Sequence, residues 1–427
     1  MKTEVVITGM GVICSQASSV PELFGRLKSG LSSVRNHAGL AAHGVANPAC
    51  AYIDDEVWAR LEAEQAGRFC ERLGPQARLA VDAAGQAVRH AGIDLAAVER
   101  KGLFVASNKY TLTSDHLLGI GRHYNAATDK VSLDTYLQDE GHDGATYFHK
   151  RQDMAALALA ELHGFDDAIM TPGDACAAGG MSIGAGFRHI AHGELDVALV
   201  GATETMSNYV PLMGFSILGA SAPEPSHAPE GISRPFDRER SGFVMGEGSA
   251  FLVLESLEHA RERGATILAR VSGFARQAEA YRITASPSDG SQYARCMQAA
   301  LDDAGLDAAA IDHVNAHGTS TQQNDSCESA AIRQVFGARA ARLPVTANKS
   351  ALGHSLAASG AIEAVLSVAS LREQTLLPTL NFSEADAQTE GLDIVRQARP
   401  MRIEHVMSNS FGFGGQNCVL ILSSHSS

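Results

Sequence analysis

The chain has 427 residues, 45% apolar and 19% charged, with 48 acidic against 34 basic side chains and a net charge of −14. Such a length holds two or three units of roughly 100–200 residues, or one large two-part fold, and the composition excludes a disordered chain, a coiled coil and a collagen. The acidic balance, with no basic stripe, argues against a nucleic-acid partner, and no run of about 18 uncharged apolar residues is present to span a membrane.

The first element in chain order is Val5-Val6-Ile7, a strand-like run ending at Gly9-Met10-Gly11. It follows Met1 too closely for the apolar core and cleavage site of a signal peptide, so a cytoplasmic location is expected. A helix from Leu79 stops near Gly92, and Leu103–Ser107 reads as a strand. A helix through Ile183, Phe187 and Ile190 leads to a strand at Asp196–Gly201. Ser221–Gly231 is a loop, and Glu255–Gly264 reads as a helix between two halves. The pattern then recurs: Tyr293–Ala304 helical, Ile311–Asn315 a strand, Glu328–Phe336 helical. This alternation predicts an α/β fold whose sheets are covered by helices. Gly246–Leu254 and Gly414–Leu422 are each a glycine turn leading into an apolar strand, as if each closed one half of a duplicated fold.

Four segments carry reactive side chains. Cys176 follows Pro172-Gly173-Asp174-Ala175 and precedes a helical run of small residues. A thiol at a helix start faces unpaired N–H groups and the positive dipole end, which favours thiolate; a small buried hydrophobe is the plainer reading. The other six cysteines form no C-x-x-C pair, so isolated thiols are expected instead of a disulfide framework or zinc site. His317 lies where an apolar strand runs into Gly318-Thr319-Ser320-Thr321, and ligands in α/β sheets bind at such strand ends. Lys349 and His354 follow a second strand end, before a helix so small-sided that Glu363 on it needs a partner, for which Lys349 is a candidate. Finally, Gly412-Phe413-Gly414-Gly415 can aim an N–H at an oxyanion, swing the ring as a gate, or simply turn.

Taken together, and with Arg234-Pro235-Phe236-Asp237 and Ser241–Gly248, these segments resemble the β-ketoacyl-acyl carrier protein synthases, the condensing enzymes of the thiolase fold, over nearly the whole chain. The resemblance implies duplicated halves in a layered α-β-α-β-α architecture, with an N-terminal half at 1–255 and a C-terminal half at 256–427. It implies a Cys-His-His triad of Cys176, His317 and His354, with Lys349 paired to Glu363 or Glu328 and holding the second histidine. The N–H groups of Cys176 and Phe413 would form an oxyanion hole, Phe413 a gate, and Thr319 and Thr321 would bind the pantetheine arm. The implied reaction loads an acyl group on Cys176, decarboxylates malonyl-carrier protein and joins the two, with no metal or organic cofactor.

The implied partners are an acidic acyl carrier protein and a second subunit, either a second copy or a chain-length-factor-like chain. A basic docking patch is then expected, with Arg68 and Arg72 as candidates and Arg122 and Lys130 as weaker ones. Several residues depart from the fatty-acid elongating pattern. Asn108-Lys109-Tyr110 stands where glycines border the acyl pocket, Gln416 replaces a threonine, and Gln322-Gln323-Asn324 and Arg282 are unusual. These departures point to a specialised type II polyketide or polyene enzyme, with housekeeping fatty-acid elongation as the alternative. Tyr110 would favour flat, unsaturated acyl chains. A degradative thiolase fits poorly, since Cys418 lacks a Cys-x-Gly context, and a non-catalytic chain-length factor would lack Cys176.

Overall fold

A computed structural model of the chain describes residues 3–65, 73–108, 114–139, 151–206, 208–223 and 227–425. Five strands build the first half: β1 (Val5–Cys14), β2 (Lys101–Ala106), β3 (Ile169–Met170), β4 (Val197–Thr205) and β5 (Met245–Ser256). Five build the core of the second: β6 (Ala269–Ala278), β7 (His313–Asn315), β8 (Pro344–Thr346), β9 (His405–Gly412) and β10 (Gln416–Ser423), with the two-residue strand Asp393–Ile394 paired outside β8. Their spatial order is β1-β5-β4-β2-β3 in one half and β6-β10-β9-β7-β8 in the other, the same permutation twice. The pairing sense repeats as well. The two pairs nearest the junction are antiparallel in each half, and the two outer pairs are parallel. β1 and β6 pair antiparallel, with Val5 opposite Val271, and join the halves into one sheet.

The glycine-led runs at Gly246 and Gly414 thus open or precede β5 and β10, the fifth strand of each half. The linker helix is shorter than the sequence suggests, at Leu257–Glu262. Ser256 caps it through the His259 N–H, while Glu255 still belongs to β5 opposite Val6.

Helix α1 (Pro75–Ala91) lies on the first half and α4 (Ser291–Ala304) on the second, each burying one face. α2 (Ala178–Ala191) and α6 (Ser359–Glu373) sit between the halves, and α6 is buried from Ser359 to Leu371. A helix buried all round must be apolar or small on every side, which explains the small-residue run at its start. The two cross at glycines. A Cβ on Gly179 would stand 2.7 Å from the Ala361 nitrogen, and one on Gly360 would stand 2.9 Å from the Gly180 nitrogen. This close approach brings together the N-terminal ends of both helices, and with them the segments holding Cys176 and His354. No helix among the described residues is long and apolar enough to cross a membrane.

Candidate active site

Cys176 sits in a single turn, Ala175–Ala177, between β3 and α2, entered through Ala175 in the left-handed region at φ +48°. That conformation is uncommon for a residue with a side chain and holds the turn sharp. His317 follows β7, and His354 follows β8 and the short helix Lys349–Leu352. The Cys176 sulfur and one ring nitrogen from each histidine all lie within 4.8 Å of one another, and all three residues are buried. They line a cavity of about 220 Å³ together with Thr319, Thr321 and Phe413.

Each histidine is fixed from behind. The Lys349 ammonium donates to the His317 carbonyl at 2.7 Å, contacts His317 Nδ1 at 3.2 Å and pairs with Glu363 at 2.5 Å. An ammonium has only donors to offer, so Nδ1 of His317 is the acceptor and the ring proton sits on Nε2. His354 Nδ1 accepts from the Leu356 N–H at 3.2 Å and contacts Ser359 Oγ at 2.9 Å, which assigns its proton to Nε2 as well. Lys349 therefore holds the first histidine, His317, and not the second as the family pattern suggested; the turn at Leu356 and Ser359 holds His354. Behind His317, Glu328 accepts from the N–H groups of His317 and Gly318, both at 2.8 Å. Asp325 does the same for Thr319 and Ser320, at 2.9 and 3.1 Å. Thr319 and Thr321 bond each other through their hydroxyls at 2.9 Å, and Thr321 caps helix α5 (Gln322–Phe336).

Burial sets the protonation states. It pushes the Cys176 thiol up to about 11, against the Phe413 N–H, the Lys349 charge and the residue's own N–H. The helix-start argument for a resting thiolate is thus overturned: removing the sulfur from water outweighs the donors around it. Burial, then the Lys349 charge, holds both imidazoles well below their ordinary value, so both rest neutral. Glu363 is pushed up to about 7 by burial, opposed by Lys349.

The chain matches the family model described as beta-ketoacyl synthase, N-terminal domain, over residues 2–260, and that of the C-terminal domain over 268–383. It belongs to the β-ketoacyl synthase family. A Streptomyces cyaneus protein provisionally named polyketide beta-ketoacyl synthase 1 is 35% identical over 99% of this chain and 98% of its own. The 3-oxoacyl-[acyl-carrier-protein] synthase 2 of Coxiella burnetii is 34% identical over 99% of each. Among solved structures, a type II polyketide ketosynthase bound to its acyl-carrier protein and a hexaketide superposes with a TM-score of 0.86, at 29% identity and full coverage of both chains. The ishigamide ketosynthase/chain length factor gives 0.84 at 32%, again over both full chains. The fold is therefore the thiolase fold of ketosynthases, and the enzyme is an acyltransferase of the condensing type.

In this synthase the predicted residues Cys176, His317, His354, Thr319, Thr321 and Phe413 meet in one cavity, with Lys349, Glu328 and Glu363 behind it. Asn108 points elsewhere: its amide donates to Glu204 at 2.8 Å. Lys109, Tyr110, Arg68 and Arg72 lie outside the described residues. Arg122 and Lys130 are exposed and do not line the cavity. The three donor atoms of the triad are near enough to share a metal ion, but a metal on the sulfur would occupy the position an acyl group needs.

Sequence reading missed Glu204, at the end of β4. It is fully buried and accepts from Gln76 and Asn108, both at 2.8 Å, and from the Ala357 N–H at 3.4 Å. It ties the end of β2 to the turn beside His354. It also missed the rings around the sulfur. Phe215, on helix α3 (Tyr209–Ile217), stacks on Phe413 at 6.3 Å and meets Phe243 edge-on at 5.2 Å, and Phe243 meets His354 at 5.3 Å. Nothing in the linear spacing of 215, 243 and 413 announces this contact.

Two outcomes follow from these protonation states. Alkylation of Cys176 by iodoacetamide is expected to keep rising past pH 10, whereas an unperturbed thiol levels off above about 8.5; a plateau near pH 8 in mass-spectrometric labelling would contradict it. Glu204 is pushed up to about 7 from 4.5 by burial, so the folded state binds its proton more tightly than the unfolded chain. This favours folding below about pH 4.5 and is lost as pH rises through 7. Relative to wild type, Glu204→Gln is thus expected to fare better at pH 8 than at pH 4.5 in denaturant titrations, because Gln has no charge to bury.

Proposed function

We propose that this synthase carries out decarboxylative Claisen condensation with Cys176 as the acylated nucleophile and an acyl carrier protein as donor and acceptor. The carrying observation is the buried cluster of one thiol and two neutral imidazoles, each imidazole with Nδ1 committed as an acceptor and its N–H free at Nε2. In loading, the sulfur attacks the acyl thioester, and the Cys176 proton leaves with the carrier thiol. The negative oxygen that forms transiently is met by the N–H groups of Phe413 and Cys176, which already point at the sulfur. In condensation, malonyl thioester loses CO₂ and its electron pair passes to the α-carbon as an enolate. The two Nε2–H donors stabilise the enolate oxygen; the carbanion attacks the acyl carbon and Cys176 leaves as thiolate. Neutral donors suit this step, because an imidazolium would protonate the enolate before it attacks. Thr319 and Thr321 border the path of the pantetheine arm. No metal or organic cofactor is required by this scheme.

The type II polyketide pathway is the better-supported setting. The Streptomyces relative and the hexaketide-bound ketosynthase favour it, and fatty-acid elongation is the second reading, favoured by the Coxiella relative. An apolar cluster of Met206, Leu212, Phe243 and Leu356, with Phe215 and Phe413 against it, adjoins Cys176. Aromatic walls suit a planar conjugated acyl chain. A two-subunit assembly is supported by the two-residue edge strand β3, with Ile169 and Met170 exposed, and by exposed Leu118, Leu133 and Leu137. The ishigamide enzyme, a ketosynthase/chain length factor, makes a heterodimer as plausible a form as a homodimer.

Cys176→Ala is expected to abolish acyl-enzyme formation by intact mass, and acyl transfer to another cysteine instead would overturn the assignment. His354→Ala is expected to lower condensation by about 10²–10³ while sparing acyl loading more. In competitive loading, polyunsaturated acyl-carrier proteins should outcompete saturated ones of equal length; the reverse would return the enzyme to fatty-acid elongation. Analytical ultracentrifugation of the chain alone should give a dimer, or a monomer that gains activity only with a second, ketosynthase-like subunit.

A further inference from the structure

A second groove, of about 640 Å³, opens between the helix Val20–Lys28 and the C-terminal ends of α1 and α6. Its size falls in the range of small-molecule sites. It shares no lining residue with the Cys176 cavity. Helix α6 runs from one to the other. Ser359, which contacts His354, opens the helix, and Arg372 stands in its last turn, roughly 20 Å further along. The floor of the groove is apolar, lined by Met10 from β1, Val20 and Phe24 from the short helix and Ala369 from α6. Val20, Phe24 and Lys28 are spaced four apart on one helical face, so a single stripe leads from the apolar floor to a charged rim.

That rim holds Lys28, Arg89 and Arg372 against one carboxylate, Glu373, while the His90 ring contacts the Met10 carbonyl at 3.3 Å. Among the described residues, the side chains of Lys28, Arg89 and Arg372 have no ion-pair or hydrogen-bond partner. Elsewhere Arg35, Arg188, Arg240 and Arg263 are all paired with carboxylates. Each of the three stands in the last turn of its helix, where a cation offsets the negative end of the dipole. That accounts for one cation on each helix, and not for three helix ends meeting over one apolar floor. Two glycines inside these helices shape the groove, although glycine is less favourable there than alanine. At Gly25, which lines the groove, a Cβ would meet nothing within 4 Å, so no neighbour requires the missing side chain; what its absence leaves is open space. At Gly85 a Cβ would stand 3.1 Å from the Arg89 guanidinium, so that glycine seats the cation along α1.

We propose that this groove is a second, non-catalytic site that binds an amphipathic organic anion, its apolar body on the floor and its carboxylate or phosphate among Lys28, Arg89 and Arg372. The occupant follows from the lining. An apolar floor alone would take a neutral ligand, but unpaired guanidinium forks match the planar oxygens of a carboxylate or the face of a phosphate. A chain at −14 repels anions at long range, so a site that holds one must gather its cations locally, as this groove does.

The test is isothermal titration calorimetry on the full-length protein with decanoate, decyl phosphate and, as the neutral control, 1-decanol. Both anions should bind at least about tenfold more tightly than the alcohol. The tighter of the two identifies the headgroup, a free carboxylate or a phosphate ester. The double variant Arg89→Ser, Arg372→Ser should weaken both anions about tenfold or more and leave the alcohol unchanged. Gly25→Phe, which fills the groove, should abolish binding of the anions. Circular dichroism and the denaturation midpoint should match wild type in each variant; if Gly25→Phe unfolds the chain, Gly25→Leu takes its place. Anion binding that survives the double variant or the filled groove overturns the proposal, since it would lie elsewhere. Equal affinity for the alcohol and the anions overturns it, as does no anion binding at about 1 mM. Dissociation of an oligomer by any of these variants overturns it too, because the groove would then be a subunit interface.

Discussion

The site depends on a single buried ammonium. Lys349 is almost wholly enclosed, paired with Glu363 from α6 and bonded to both the carbonyl and the ring of His317. A buried charge is tolerated only when paired and hydrogen-bonded, and here every proton of the ammonium has a taker. In exchange it fixes the tautomer of His317, adds its charge to the burial that keeps both imidazoles neutral, and lowers the cost of forming thiolate at Cys176. One cation thus touches the proton state of three reacting groups that burial sets first. Its carboxylate partner comes from the helix buried between the halves, so the chemistry is anchored in the core of the fold.

Enclosure has a second consequence. The nucleophile rests as a thiol and the histidines as neutral rings, so none of the three reacting groups is charged before substrate enters. Charge appears only when a thioester arrives, and preorganised N–H groups are already aimed where it forms. The price is backbone strain. Ala175, Ser320 and Leu356 all hold left-handed φ values beside the three triad segments. Buried carboxylates of α5, the β5–His354 backbone pairing and the α2–α6 crossing hold these turns in place.

The duplicated topology explains why the reacting groups meet. Cys176 follows the third strand of the first half, and His354 follows the third strand of the second; His317 follows the second strand of the second half. Two like halves joined along β1 and β6 point equivalent strand ends at a common centre. Glycines at the crossing of α2 and α6 then let those ends approach closely enough to bring the sulfur and the ring nitrogens within 4.8 Å of one another.

The sequence by itself determined the α/β class, the repeat signalled by Gly246 and Gly414, the four reactive segments and the need of Glu363 for a cation. All of these are local signals: period, glycine turns, and a charge in a small-sided helix. Tertiary structure decided what depends on distant residues meeting. It assigned Lys349 to His317 instead of His354, turned Asn108 onto Glu204, and gathered Phe215, Phe243 and Phe413 around the sulfur. It also reversed the expected state of Cys176. A helix start argues for thiolate, but desolvation is a property of the whole enclosure, and no window of sequence records how much water the rest of the chain removes.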